Sequence, residues 1–226
     1  MAANPRHCGE SVQLTGFFPS TQARVTSSVC ALDDGSVRNL TIRQVLASAT
    51  REVHERLHHH SGLAAVQSGS IDTQGYTRLL ARLYGFHEPF EREARLVPTR
   101  TAWLENDLAA FGIGPEPLAA LPRCGGFPDL SSDEAMLGAL YVVEGSALGG
   151  VTLARRLEGL VGHGTLDGRS FFSGNGSRTG DAWRAYLLRL SNASRAIEDR
   201  ATITAAAVAT FALFEQWIDG WEDRND

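Results

Sequence analysis

The chain contains no lysine, so all 21 of its basic residues are arginine. A wholesale swap of this kind points to a genome composition bias, yet it constrains the chemistry. Any carboxylate the protein binds must be met by arginine, tyrosine, serine or backbone donors. Cysteine is scarce: Cys8, Cys30 and Cys124 are widely spaced and never paired as CxxC. That pattern indicates neither a disulfide framework nor a structural zinc site. No uninterrupted apolar run approaches the roughly 18 residues of a membrane-spanning helix. Polar residues stand at the N-terminus where a secretory leader needs an apolar core. The expectation is a cytoplasmic protein with no membrane partner. An excess of basic charge is missing too, and the net charge of −5 argues against nucleic acid as a main partner.

What is present is the pattern of a helical protein. A length of 226 residues is ample for one sizeable core. Residues 1–38 carry no sustained period and read as an irregular extension. Asp33-Asp34-Gly35 is a turn signal, and Phe17-Phe18-Pro19 is the one segment there suited to docking on the body. From residue 39 to 226 the spacing predicts a single all-α domain of six or seven helices. The first runs from Thr41 to His58, with Ile42, Val45, Leu46, Ala49, Val53 and Leu57 inward and Asn39 or Thr41 as cap. A second opens at Asp72 or Thr73, and a third at Pro98-Thr99. Pro115 to Leu130 reads as a proline-rich loop, and Gly159 to Gly180 as a long glycine-rich one. Asp181 is suited to cap the next helix. The last, Ala201 to Trp221, is expected to bury Val208, Phe211, Phe214, Trp217 and Ile218.

One helix stands out. Between Asp133 and Leu157 a clear apolar face is interrupted by Gly145, Gly149 and Gly150. Each glycine costs roughly 1 kcal/mol against alanine in a helix interior. Gly145 and Gly149, four apart, share one face. A flat object could lie directly on that backbone, and close packing of a second helix would explain the same residues equally.

His54 borders the apolar stripe of the first helix, with Arg51 one turn earlier. Such a histidine is either a hydrogen-bonded core residue or a ligand. Imidazole is a natural axial ligand for heme iron, and an arginine one turn away can pair with a carboxylate. The His58-His59-His60 run reads as a solvated helix end, because successive helical residues point about 100° apart. His87 and His163 read as surface residues. A di-iron carboxylate bundle would need two Glu-xx-His pairs; the chain has only Glu55–His58.

Here the sequence resembles the heme oxygenases. The run from Ala49 to Leu57 (ATREVHERL) is similar to their proximal helix, and Tyr141 to Gly150 (YVVEGSALGG) to their distal helix in its bacterial form. The similarity covers about residues 40–221 and extends to the heme oxygenases found beside bacteriophytochromes. It implies an all-α, multi-helical fold with heme sandwiched between a proximal helix and a kinked, glycine-rich distal helix. It implies His54 as the ligand to iron, with Gly145, Ser146 and Gly149 at the distal, catalytic face. Tyr141, Arg51 and Arg189 would hold the substrate, with Gly150 and Arg156 as further contacts.

The implied activity is cleavage of haem (heme b), both cofactor and substrate, to biliverdin, carbon monoxide and ferrous iron. It would use O2 and an external electron donor, ferredoxin or an NAD(P)H-dependent reductase. The product would serve a bacteriophytochrome apoprotein as chromophore, or the iron would be released for use. Two positions depart from the family. Ser146 stands where mammalian members carry an aspartate that organises proton delivery, and Ala47 where a lysine often anchors the substrate. These departures keep open a non-catalytic heme- or bilin-binding protein of the same fold. A helical scaffold that binds no tetrapyrrole would fail to bring Arg51, His54 and Tyr141 to one cleft.

Overall fold

A computed structural model describes residues 40–222, and among them no strand occurs. The extension expected over residues 1–38, with its Phe17-Phe18-Pro19 segment, lies outside the described residues. Thr41 opens the first helix with a capping box, its hydroxyl accepting from Gln44 N while the Gln44 side chain accepts from Thr41 N. The single helix expected from Thr41 to His58 is two. Helix α1 (Ile42–Ala49) and α2 (Arg51–His58) meet at Thr50, whose dihedrals leave the helical region. The hydrogen bonds Thr50 N to Leu46 O and His54 N to Thr50 O nevertheless carry the four-residue ladder across the joint. The residues at four- and seven-step spacing therefore keep a common face through the break.

The histidine run marks a real end. His59 caps the end of α2, and His60 opens α3 (Ser61–Ser68) by accepting from Leu63 N. Ser61-Gly62, expected to terminate a helix, instead begins one, and the short apolar stretch after it is helical. A Cβ on Gly62 would lie 2.9 Å from the Trp221 ring, which fixes glycine there. Asp72 caps the long α4 (Thr73–Glu93). Helix α5 (Thr99–Ala110) follows Pro98, as expected, and ends before Gly112, which adopts φ +80°. Pro115 takes the first position of the short α6 (Pro115–Ala120), a turn hidden in the expected loop by its prolines.

Ser132 caps α7 (Asp133–Arg156), the longest helix, which continues unbroken through Gly145, Gly149 and Gly150. The expected loop 159–180 contains α8 (Glu158–Val161) at its start, α9 (Ser170–Ser173) and a 3-10 turn, Gly176–Arg178. Helix α10 (Thr179–Ala193) starts two residues before Asp181, and α11 (Ile197–Ile218) four before the expected Ala201.

Helices α7 and α11 form the centre of the molecule, packed along each other. They come close at Gly138, where an added Cβ would lie 2.2 Å from Ile203 O. Phe211, Phe214 and Ile218 of α11 are buried as expected, but Val208 is 41% exposed. The pattern that places Phe211 and Phe214 inward turns Val208 toward the rim. Taken as windows rather than uninterrupted runs, α7 and Ile197–Glu222 are apolar and long enough to cross a membrane. Within this fold both serve as core helices.

His87 corrects a further expectation. It is 3% exposed, not a surface residue, and its ring lies edge-on to Phe86 and 5.0 Å from Phe171. Burial, reinforced by the nearby charge of Arg100, holds its pKa well below the usual imidazole range. His163 is exposed and meets Glu158 at 3.1 Å. Among the described residues no cluster of three or more His, Cys, Asp or Glu is arranged to hold a metal ion. That includes the His58-His59-His60 run and Glu55.

Candidate functional site

The site is best built from the stripe on α1 and α2. Arg43, Ala47, Thr50 and His54 follow one another at four, three and four residues, so they share a face. His54 is half-buried on it, its ring 4.6 Å from that of His58 in an edge-on arrangement. Burial is the main force on its pKa, with the neighbouring His58 second, and together they lower it to about 4. The imidazole is therefore neutral at physiological pH and keeps a lone pair on one ring nitrogen, the form that binds a metal.

Helix α7 meets this stripe through Tyr141. The Tyr141 side chain is half-buried, within the electrostatic range of the Thr50 hydroxyl and of Arg43. Burial raises the Tyr141 pKa, and Arg43 and Thr50 partly offset that shift. Thr50 donates its own hydroxyl proton to Leu46 O at 2.8 Å, which leaves its oxygen free to accept. Behind Tyr141, the Trp183 ring of α10 stands 5.9 Å away. One and two turns beyond Tyr141 come Gly145 and Gly149, both buried.

Further contacts anchor α7. Glu144 pairs with Arg100 at 3.0 Å, and Glu91 holds the start of α5 by accepting from Arg100 N, Thr101 N and the Thr101 hydroxyl. Tyr186 donates to Leu137 O at 2.8 Å. Gly150, nine residues after Tyr141, faces the other way, and a Cβ there would lie 2.9 Å from Phe172 O. Its expected contact with a substrate is corrected: the space next to Gly150 is filled by the backbone of α9.

Ser146 is half-buried and donates to Val143 O at 2.8 Å, so its proton is engaged within its own helix while its oxygen still accepts. Arg51 and Arg156 are exposed, Arg156 at the last turn of α7. Arg189 is exposed on α10, and its charge reaches Tyr186, which in turn lies within the electrostatic range of Tyr141 and Glu144. Tyr141 thus stands within electrostatic reach of Thr50, one turn before His54, with Gly145 and Gly149 one and two turns further along α7, whereas Arg156 is exposed and Gly150 packs against α9.

Sequence reasoning missed Arg43, Thr50 and Trp183. Arg43 and Thr50 were signalled by their spacing from His54, since both lie on its face. Trp183 had no local signal, because only the packing of α10 on α7 brings it there.

A neutral imidazole on one helix and a tyrosine leading into a glycine-bearing helix would suit a flat, metal-centred ligand. The fold places it more narrowly. The structure of heme oxygenase from Leptospira interrogans superposes with a TM-score of 0.65, covering 80% of this chain and 99% of that one at 17% identity. The family described as Heme oxygenase matches residues 40–220. A protein of Xanthomonas campestris pv. campestris (strain 8004) named heme oxygenase is 31% identical over 67% of this chain and 93% of its own length. The chain belongs to the heme oxygenase family and is an enzyme of that class, with heme as its ligand and substrate.

Proposed function

We propose that this heme oxygenase opens heme to a biliverdin, carbon monoxide and ferrous iron, using O2 and electrons from a ferredoxin or an NAD(P)H-dependent reductase. The observation that carries this reading is the half-buried, neutral His54 on the face that Tyr141 meets from the glycine-bearing helix. The residues present fit the group: a neutral nitrogen for iron, a side-chain-free turn for a flat ring, and arginine with tyrosine for its two carboxylates. Bound heme supplies both the iron at which dioxygen is held and the ring that is opened.

The chain's own residues then have distinct tasks. His54 fixes the proximal side through its unprotonated nitrogen. Gly145 and Gly149 let the α7 backbone approach the other face, and that approach limits which meso carbon can be reached. Ser146 offers an oxygen that could hold a water as a proton source on this side of α7 while its own proton stays on Val143 O. Tyr141 and Arg189, with Arg51 at the rim, orient the acidic edge. The product is suited to a bacteriophytochrome apoprotein, and the released iron to cellular use.

The test is absorption spectroscopy of the purified protein with heme, a reductant and air. The Soret band should disappear as a broad red bilin band grows, insensitive to catalase. His54→Ala should lose at least tenfold in turnover. A heme complex that never bleaches would sink the oxygenase reading and favour storage.

A further inference from the structure

Asp107 of α5 is fully buried, and a carboxylate is kept in such a place only where its oxygens are met. One oxygen accepts from Ser170 N at 2.7 Å and the other from Phe171 N at 2.8 Å. Both donors open α9, and the next residue, Phe172, stands against Gly150 of α7. We propose that Asp107 is a positioning residue for heme cleavage: it holds α9 against α7 and thereby fixes which meso carbon the Gly145–Gly149 backbone leaves open.

Three features of residues 168–173 carry this beyond the reading above, on which it rests. First, the segment is tied to the body of the protein at several points. Besides the two bonds to Asp107, Tyr76 of α4 donates to Gly168 O at 2.8 Å, and the Phe171 ring lies 5.0 Å from that of His87, also on α4.

Second, the same segment meets α7 twice. Arg169, only 6% exposed, donates to Ala154 O at 2.8 Å, and one turn earlier a Cβ on Gly150 would lie 2.9 Å from Phe172 O. The segment is therefore a strut between α4 and α5 on one side and the second half of α7 on the other. Third, α7 is intrinsically weakest where the strut meets it. Gly145, Gly149 and Gly150 each disfavour the helix by about 1 kcal/mol against alanine, so the course of the backbone there follows what it packs against. Gly150 directly follows Gly149, and a shift at the strut is a shift of the backbone that faces the ring. The choice between competing meso carbons is sensitive to such a shift, because a change of about threefold in product ratio takes less free energy than one hydrogen bond contributes.

The experiment measures the ratio of biliverdin isomers formed from heme, a reductant and air by native protein, Asp107→Asn, Asp107→Ala, Gly150→Ala and Gly138→Ala. Asparagine keeps the shape but turns an amide donor toward one of the two N–H groups; alanine leaves both without a partner. The ratio should change about twofold in Asp107→Asn and about threefold or more in Asp107→Ala. Heme affinity should stay within about twofold of native, since no group that holds heme is removed. Gly150→Ala presses on the same contact from α7 and should also shift the ratio, with Asp107 intact. Gly138→Ala strains α7 at its contact with α11 and should leave the ratio native.

A native ratio in either Asp107→Asn or Gly150→Ala overturns the inference and leaves the functional reading intact. A shift in Gly138→Ala as large as that in Asp107→Ala overturns it as well, since any loosening of the core would then redirect the reaction. If native protein forms no bilin from heme, the functional reading fails and this inference falls with it.

Discussion

Helix α7 uses glycine for opposite reasons at different points along its length. At Gly138 and Gly150 the space is filled: added Cβ atoms would lie 2.2 Å from Ile203 O and 2.9 Å from Phe172 O. Glu144–Arg100 and Tyr186–Leu137 tie the same helix to α5 and α10. Further along, Tyr141, Gly145 and Gly149 lead along the proposed heme site. The packed positions hold the helix in register, while Gly145 and Gly149 present no side chain of their own. Small residues in a helix therefore say only that something comes close. Whether that is backbone or ligand is decided by the elements packed against it.

Two substitutions on the packing side should give the larger effects. Gly138→Ala forces a methyl group to 2.2 Å from a carbonyl oxygen and 2.8 Å from Ala206 Cβ, both on a core helix. Relief requires α7 and α11 to separate, at a cost on the order of 3 kcal/mol. Thermal unfolding should report it as a fall in Tm of roughly 6–12 °C, with heme affinity of the remaining folded protein unchanged. A native Tm would mean that the two helices are not held at this distance in solution.

The second effect is a pH dependence. Asp107 is fully buried under α9, where its carboxylate accepts from Ser170 N at 2.7 Å and Phe171 N at 2.8 Å. Burial outweighs those two donors and raises its pKa from 3.8 to about 6. Between these values the folded chain holds more protons than the unfolded one, so its contribution to stability is full below about pH 4 and lost as pH rises through about 6. Urea unfolding across pH 4 to 7, native against Asp107→Asn, should show the native advantage shrinking by on the order of 2 kcal/mol. An advantage that grows with pH would show that the two backbone donors, not burial, dominate.

The difference between these positions also explains what could be read from the chain. The helix periods, the caps at Thr41 and Asp72, and the His54 and Tyr141–Gly150 segments are local patterns. Each is set by residues within a turn or two of one another. Gly138 and Gly150 gain their meaning from Ile203 and Phe172, distant in the chain, and nothing near them reveals those partners. The break at Thr50 interrupts no apolar period, so the first two helices read as one. His87 was legible: it continues the Leu80, Leu83, Phe90 stripe of α4, and its polar ring masked the pattern. Val208 shows the converse, an apolar residue at a plausible step that the tertiary packing leaves at the rim.

The smallest effect on stability, and the sharpest test of the comparison, is expected at Gly145. Alanine is favoured over glycine in a helix interior by about 1 kcal/mol. If Gly145 is retained to let a ligand approach, its replacement removes no native contact of the apoprotein. Gly145→Ala should then keep Tm or raise it slightly, while a methyl group between α7 and the ring weakens heme binding and redistributes the biliverdin isomers. The same change at Gly138 should do the reverse, lowering Tm and leaving product chemistry alone. A Gly145→Ala protein that unfolds as easily as Gly138→Ala would mean that Gly145, like Gly138, is packed against another element. The stretch of α7 left for a ligand would then shrink to Gly149, too little for a flat ring to lie on.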